Sequence, residues 1–262
     1  MNEPVFRTED PWKLLRNYTD ARIALGRVGA SLPTAAVLAF SLAHARARDA
    51  VLSELDADAV ERSLGVLGLG VVRATSRCRD KGEYLRRPDL GRRLSDSSRR
   101  ELEALAPESG CELAIIVAAG LSSAAIEGQV LPFLSLFLPL VSDLSIAPLC
   151  LATYGRVALS DEVGALLGAK AVVILIGERP GLSSPDSLGA YLTYAPSIGT
   201  TDERRNCISN IRPAGLSFER AASKLDYLLR ESLRRRISGV DLKDEQGSLA
   251  DMEARAAAPV LT

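Results

Sequence analysis

Between Ala171 and Ile176 six apolar residues follow one another without interruption, and a glycine then gives way at once to Glu178, Arg179, Pro180 and Gly181. An unalternating apolar run of this length predicts a strand covered on both faces, since a strand open to water on one side would show polar residues at every second position. From residue 111 onward the same texture recurs. ELAIIVAAG and SIAPLCLATYG precede this run and SLGAYLTYAP follows it, with helical segments between the first three. Short apolar runs alternating with helices predict a mostly parallel sheet with helices packed on it.

The helices have recognisable starts. Ser122 precedes a long apolar segment, Ser160 to Ala169 suits a short crossover helix, and a last helix is expected to begin near Ser217. Serine favours such positions because its hydroxyl accepts from a free backbone amide of the first turn. Residues 197–215 read as a polar loop. The first hundred residues read as mainly helical, with a start at Asp10-Pro11, an alanine-rich helix over Thr34 to Leu52, another over residues 56–69, and one capped by Ser95 or Asp96. The expected organisation is α/β: a helical region over 1–109, a helix-covered sheet domain over 110–243, and a flexible tail over 244–262.

Charge and composition narrow the function classes. A formal net charge of -1 gives no electrostatic case for nucleic acid or for an anionic membrane surface. Four scattered cysteines form no C-x-x-C pair, which argues against a zinc site or a disulfide framework and fits a reducing cytoplasm. The N-terminus lacks the pattern of a signal peptide. The apolar stretch from Ala114 to Leu140 is broken by Gly120, Glu127, Gly128, Gln129 and Pro132, so a soluble chain is expected.

Two sets of residues are candidates for chemistry. Gly120-Leu121-Ser122-Ser123-Ala124 has the strand-to-helix context of a nucleophilic serine, but such a serine needs a histidine base, and the lone histidine, His44, precedes it on the polar side of a helix. Ser122 reads better as a helix cap. The other set is the rim of the sheet, where YGRV, GERPG and NCISN follow successive strands and would converge on one crevice. That rim offers an apolar contact, a carboxylate, a small thiol and glycines that let a ligand approach the backbone. Glu178 could equally pair with a neighbouring arginine, and Cys207 could be a small core residue. Gly68-x-Gly70 is a broken dinucleotide fingerprint and carries no site. The arginines from Arg86 to Arg100 suit either a solvated loop or a contact surface for carboxylates or phosphates.

At YLRRPDLGRRL, GLSS, YGRV, VVILIGERPGL, PDSLGAYLTYAP and NCISNIRPAG the chain resembles the small subunit (light chain) of ethanolamine ammonia-lyase, and weaker likeness extends to about Asp241. The resemblance implies a Rossmann-like domain contacting adenosylcobalamin, with Val157, Glu178 and Cys207 as cofactor contacts and no catalytic group on this chain. It implies a large-subunit partner in a hetero-oligomer that carries the substrate site, where cobalt–carbon homolysis leads to conversion of ethanolamine to acetaldehyde and ammonia. His44 lacks the D-x-H-x-x-G surroundings of proteins that ligate cobalt through histidine. The chain departs from the family pattern at Ala119 and Ala124, where acidic residues are usual, and that departure motivates a stand-alone nucleotide or corrinoid binding module as the alternative. Some members carry an N-terminal extension linked to packaging in a bacterial microcompartment, and encapsulation is left open here.

Overall fold

The computed structural model describes residues 8–245, so most of the tail read as flexible lies outside the described residues. Six strands form one mixed sheet: β1 (Val71–Thr75), β2 (Cys111–Ala118), β3 (Leu149–Thr153), β4 (Ala169–Gly177), β5 (Leu188–Tyr194) and β6 (Arg205–Ile211). Their order across the sheet is β1-β3-β2-β4-β5-β6. The pairs from β1 to β4 are parallel, and β5 and β6 add antiparallel. The fold is thus α/β with a mostly parallel sheet.

The helices are α1 (Thr34–Leu52), α2 (Ala57–Leu64), α3 (Lys81–Arg86), α4 (Asp96–Leu105), α5 (Ser123–Leu140), α6 (Leu159–Leu166) and α7 (Phe218–Arg235). Serine caps open three of them. Ser95, Ser122 and Ser217 accept from the amides of Ser98, Ala125 and Arg220, as the sequence predicts. The two cores lie on opposite faces of the sheet. On one face Ile126, Val130, Phe133 and Phe137 of α5 and Leu225 and Leu229 of α7 pack on Leu113, Ile115, Val117, Val173 and Leu175. On the other, Leu159 and Val163 of α6 and Leu102 of α4 pack on Ala114, Ile116, Val172 and Ile174. Double coverage explains why β2 and β4 show no alternation. Although α5 is long and apolar enough to cross a membrane, its Phe133, Leu134 and Phe137 are fully buried in this core.

Three features depart from the sequence expectation. The strand β1 emerges from the stretch read as helical, just after the broken glycine pattern, and pairs with β3 at the sheet edge. The expected polar loop contains β6, whose burial alternates irregularly because it is an edge strand with only Arg205, Ile208 and Ile211 turned inward. Finally, β5 runs antiparallel to β4, because the connection over residues 178–187 contains no crossover helix. Its carboxyl end therefore points away from the rim formed by β2, β3 and β4.

One ion pair ties the antiparallel edge to the parallel body. Arg205, at the start of β6, meets Asp161, in the first turn of α6, through two hydrogen bonds of 2.6 and 2.7 Å. Both side chains are almost fully buried. Thr193 Oγ1 and the Thr200 carbonyl accept from the same guanidinium, so the group is well satisfied. Burial pushes the Asp161 carboxyl up, and Arg205 pulls it back down.

Removing one partner of a buried pair strands the other charge, at a cost of about 3–5 kcal/mol. Arg205→Ala is expected to lower the stability measured by urea unfolding by an amount of that order, with a clear fall in the midpoint, whereas Arg234→Ala, which breaks an exposed pair with Glu231, is expected to leave the midpoint nearly unchanged. Replacing both partners, in Arg205→Met with Asp161→Leu, should recover most of the loss. Equal midpoints for the two single variants would rule out this role for the pair.

Candidate functional site

The loops after β2 and β3 leave the sheet toward opposite faces, since α5 belongs to one core and α6 to the other. A crevice opens where neighbouring connections diverge in this way, and ligands of open α/β sheets occupy it. Here the two glycines of the rim meet. Gly120 has φ of +60°, and a side-chain carbon on it would collide with the Gly177 carbonyl at the end of β4. The Leu121 amide donates to that carbonyl at 3.0 Å, so the rim is closed backbone to backbone.

A cavity of about 380 Å³ lies on this rim, lined by Tyr84, Gly120, Arg156, Val157, Glu178 and Tyr191 among others. It shares Arg156, Val157 and Tyr191 with a second cavity of about 270 Å³ that reaches Cys207 and Arg92. That cavity shares Arg92, Ala158 and Asp202 with a third, of about 550 Å³. On the opposite side, Leu121, Arg156 and Arg179 are common to the first and to a fourth of about 530 Å³ beside α1. Each of the four thus shares lining residues with its neighbour, and together they make a groove along the rim.

The three residues singled out from the sequence all lie along it. Val157 is half-buried in the turn before α6. Glu178 leaves the carboxyl end of β4, and its backbone amide donates to the Ser187 carbonyl at 2.9 Å, which folds the 178–187 loop back on itself. One carboxylate oxygen, Oε2, accepts from the Ser187 hydroxyl and from the Asn210 amide at 3.2 Å. The other, Oε1, has no hydrogen-bond partner among the described residues and faces Gly189, where a side-chain carbon would approach it to 2.9 Å. Glu178 forms no ion pair among the described residues, so the arginine pairing left open by the sequence does not occur.

Cys207 reaches the same groove by a different route. It lies within β6 opposite Tyr191 on β5, and the two residues line the second cavity together. The residue is exposed rather than core. Crowding by its neighbours raises the thiol above its ordinary range, the Glu178 charge adds to this, and Tyr191 opposes it. Burial likewise raises the Tyr191 phenol. At neutral pH both groups keep their protons and act as weak donors, without the thiolate a nucleophile would need.

Several residues that shape the site were not legible in the sequence. Between Leu188 and Ala190 the register of β5 against β6 slips by one residue, leaving Ser209 and Asn210 opposite Gly189. This bulge, with Asn210 at φ of +59°, aims the Asn210 amide at Glu178. An asparagine in an otherwise extended segment is the one signal that could have found it, since Asn tolerates the left-handed region better than most residues. Tyr84 is fully buried beneath the Arg156 guanidinium, 4.1 Å from ring centre to carbon, and only its place in YLRRPDLGRRL hinted at it.

Other candidates fall away. Ser122 is fully buried, and its hydroxyl donates to the Pro185 carbonyl at 2.8 Å, so it is a cap and not a nucleophile. His44 is exposed on α1, at the edge of the fourth cavity. Ala119 is buried at the end of β2, whereas Ala124 is exposed in the first turn of α5. The arginine-rich loop is partly self-paired: Arg87 with Asp89, and Arg93 and Arg99 with the buried Glu162.

Known proteins match this chain over nearly its whole length. The sequence model of the ethanolamine ammonia-lyase light chain matches residues 9–243. The ethanolamine ammonia-lyase small subunit of Azotobacter vinelandii is 55% identical over 242 residues, covering 91% of this chain and 90% of its own. Those of Pseudomonas putida strain W619 and Bradyrhizobium diazoefficiens are 53% and 52% identical, covering 94% and 90% of this chain and 92% and 91% of their own. Matches of this extent take in the groove, β6 and the arginine-rich loop alike, and they place the chain in the ethanolamine ammonia-lyase light chain family.

Proposed function

We propose that this chain is the small subunit of an adenosylcobalamin-dependent ethanolamine ammonia-lyase, and that its groove holds one side of the cobalamin against the large subunit. The observation that carries the reading is the groove at the diverging strand ends, with Val157, Glu178 and Cys207 spaced along it and Glu178 Oε1 left without a partner. A corrinoid presents a broad apolar ring fringed by amide groups. Val157 suits the ring as apolar surface. The Oε1 atom of Glu178 suits an amide or hydroxyl donor, and its orientation is fixed in advance because Ser187 and Asn210 hold Oε2. Cys207 leaves room and offers a weak donor. When bound, adenosylcobalamin supplies radical chemistry for the conversion of ethanolamine to acetaldehyde and ammonia. The residues of this chain orient the cofactor and exclude water from one of its faces, and they take no part as acid, base or nucleophile.

A second observation supports the partner. No residue of α1 is buried, and Leu38, Phe40 and Leu42 stand exposed, as do Trp12, Leu14 and Tyr18 in the segment before it. A solvent-facing concentration of large apolar side chains of this kind marks an interaction surface. The C-terminal end of α1 is tied to the body of the fold by the Ser123 hydroxyl, which donates to the Ser53 carbonyl. The large subunit is the partner that fits, and its coverage would also wall the fourth cavity beside α1.

Two outcomes test the reading. Glu178→Ala should weaken retention of cobalamin by the co-expressed two-subunit complex roughly tenfold or more, the scale of a hydrogen bond to a charged group. Thermal stability of the cofactor-free chain should fall by no more than about 1–3 kcal/mol, because water can replace Glu178 at the exposed Asn210 and only the buried Ser187 hydroxyl loses its partner. A large stability loss with unchanged retention would make Glu178 structural. Separately, Leu38→Asp with Leu42→Asp should leave the chain folded, by circular dichroism, while abolishing its co-purification with the large subunit. Undiminished co-purification would move the interface elsewhere.

A further inference from the structure

The groove carries more positive charge than its own carboxylates neutralise. Arg92, Arg156 and Arg179 line it and form no ion pair among the described residues. The carboxylates beside them are occupied: Asp89 by Arg87, Asp202 by Arg205, and Glu178 by its two donors. A chain of net charge -1 thus has a locally cationic groove.

Arg156 is central to this excess. It lines three of the four cavities and lies where they join. One terminal nitrogen, Nη2, donates to the Tyr84 carbonyl at 2.9 Å, and the guanidinium carbon sits over the Tyr84 ring, 4.1 Å from its centre. Its Nε is buried without a hydrogen-bond partner. The fork is held rigidly. The Arg156 amide donates to the Gly91 carbonyl at 2.8 Å, and a side-chain carbon on Gly91 would come within 2.9 Å of Arg156 Cγ. A half-buried guanidinium held against Tyr84, lining three of the cavities and flanked by two further arginines without an ion pair, is suited to bind an anion through the terminal nitrogens that face the groove.

We infer that Arg156, assisted by Arg92 and Arg179, binds the phosphodiester of the cofactor's nucleotide loop. The inference rests on the cobalamin reading above. The phosphodiester is the one permanently anionic group on the periphery of a cobalamin, so the other polar contacts of the groove have neutral amides to meet. Glu178 and Arg156 then sort the two ends of the ligand by charge: the carboxylate takes amide donors, and the arginine takes the phosphate. The arginine-rich loop gains a function it lacked, because its Gly91 turn holds Arg156 in place and its Arg92 completes the charge.

The test measures dissociation constants of the two-subunit complex by equilibrium dialysis for three corrinoids: cyanocobalamin, dicyanocobinamide phosphate, and dicyanocobinamide, which lacks the phosphate. Arg156→Gln should weaken the first two roughly ten- to a hundredfold, the scale of charge-assisted hydrogen bonds, and leave the third unchanged within about twofold. Arg156→Lys should recover only part of the loss, since a point charge replaces the fork. Should Arg156→Gln fail to fold, the exposed pair Arg92→Gln with Arg179→Gln should show a smaller loss with the same dependence on phosphate. Equal weakening of all three corrinoids, or of none, overturns the inference. So does loss of association with the large subunit at unchanged corrinoid affinity, which would assign the arginine to a carboxylate of the partner. If the wild-type complex binds none of the three, the cobalamin reading itself falls.

Discussion

The buried pair of Arg205 and Asp161 is the constraint on which the geometry of the groove depends. Asp161 stands four residues after Val157 on the same turn and helix, and Arg205 stands two residues before Cys207 on β6. The pair therefore clamps the two walls of the groove to each other through a short, doubly hydrogen-bonded link. An edge strand that joins a sheet only through an antiparallel neighbour could otherwise drift with that neighbour. Since a buried ion pair is often no more stabilising than an apolar replacement, its value here lies in fixing position more than in net stability.

Around that clamp the groove is built from parts with divided tasks. The glycines of the rim set how closely β2 and β4 approach, and they do so through backbone contact that no side chain could replace. Ser187 and the bulged Asn210 fix the orientation of Glu178. Tyr84 and Gly91 fix that of Arg156. Each group facing the groove is thus supported by others that do not face it, which reduces the ordering that ligand binding would require. The N-terminal segment is the contrast: its apolar side chains have no such support from the rest of the chain and remain exposed.

The parallel body of the fold was legible because its physics is local and repetitive. Runs such as Ala171–Ile176 cannot be anything other than covered strands or buried helix, and the serines before α4, α5 and α7 mark their starts. The residues at the rim were legible for the same reason, since a strand end is visible wherever an apolar run stops at a glycine. What could not be read was β6. With three inward residues out of seven, two of them aliphatic and one an arginine, it shows no two-residue period, and its burial depends on a partner 44 residues earlier in the chain. The reversal of β5 was equally hidden, because direction is set by the length and content of a connection and leaves no mark in the strand itself. The positions of Tyr84 and Arg156 follow from a loop folding over a distant strand end, which only the three-dimensional structure brings together.

The slipped register in β6 has a consequence beyond aiming one amide. A six-stranded sheet that ends in a flat, regular strand offers its unpaired edge to any other chain with the same shape, and such edges stack into aggregates. This edge is interrupted by two residues facing one and carries Asn206, Ser209 and Asn210 in place of apolar side chains. A subunit that has to wait for its partner with an apolar helix already exposed cannot also tolerate an adhesive sheet edge. The same irregularity that orients Glu178 thereby makes this edge a poor template for pairing with another strand.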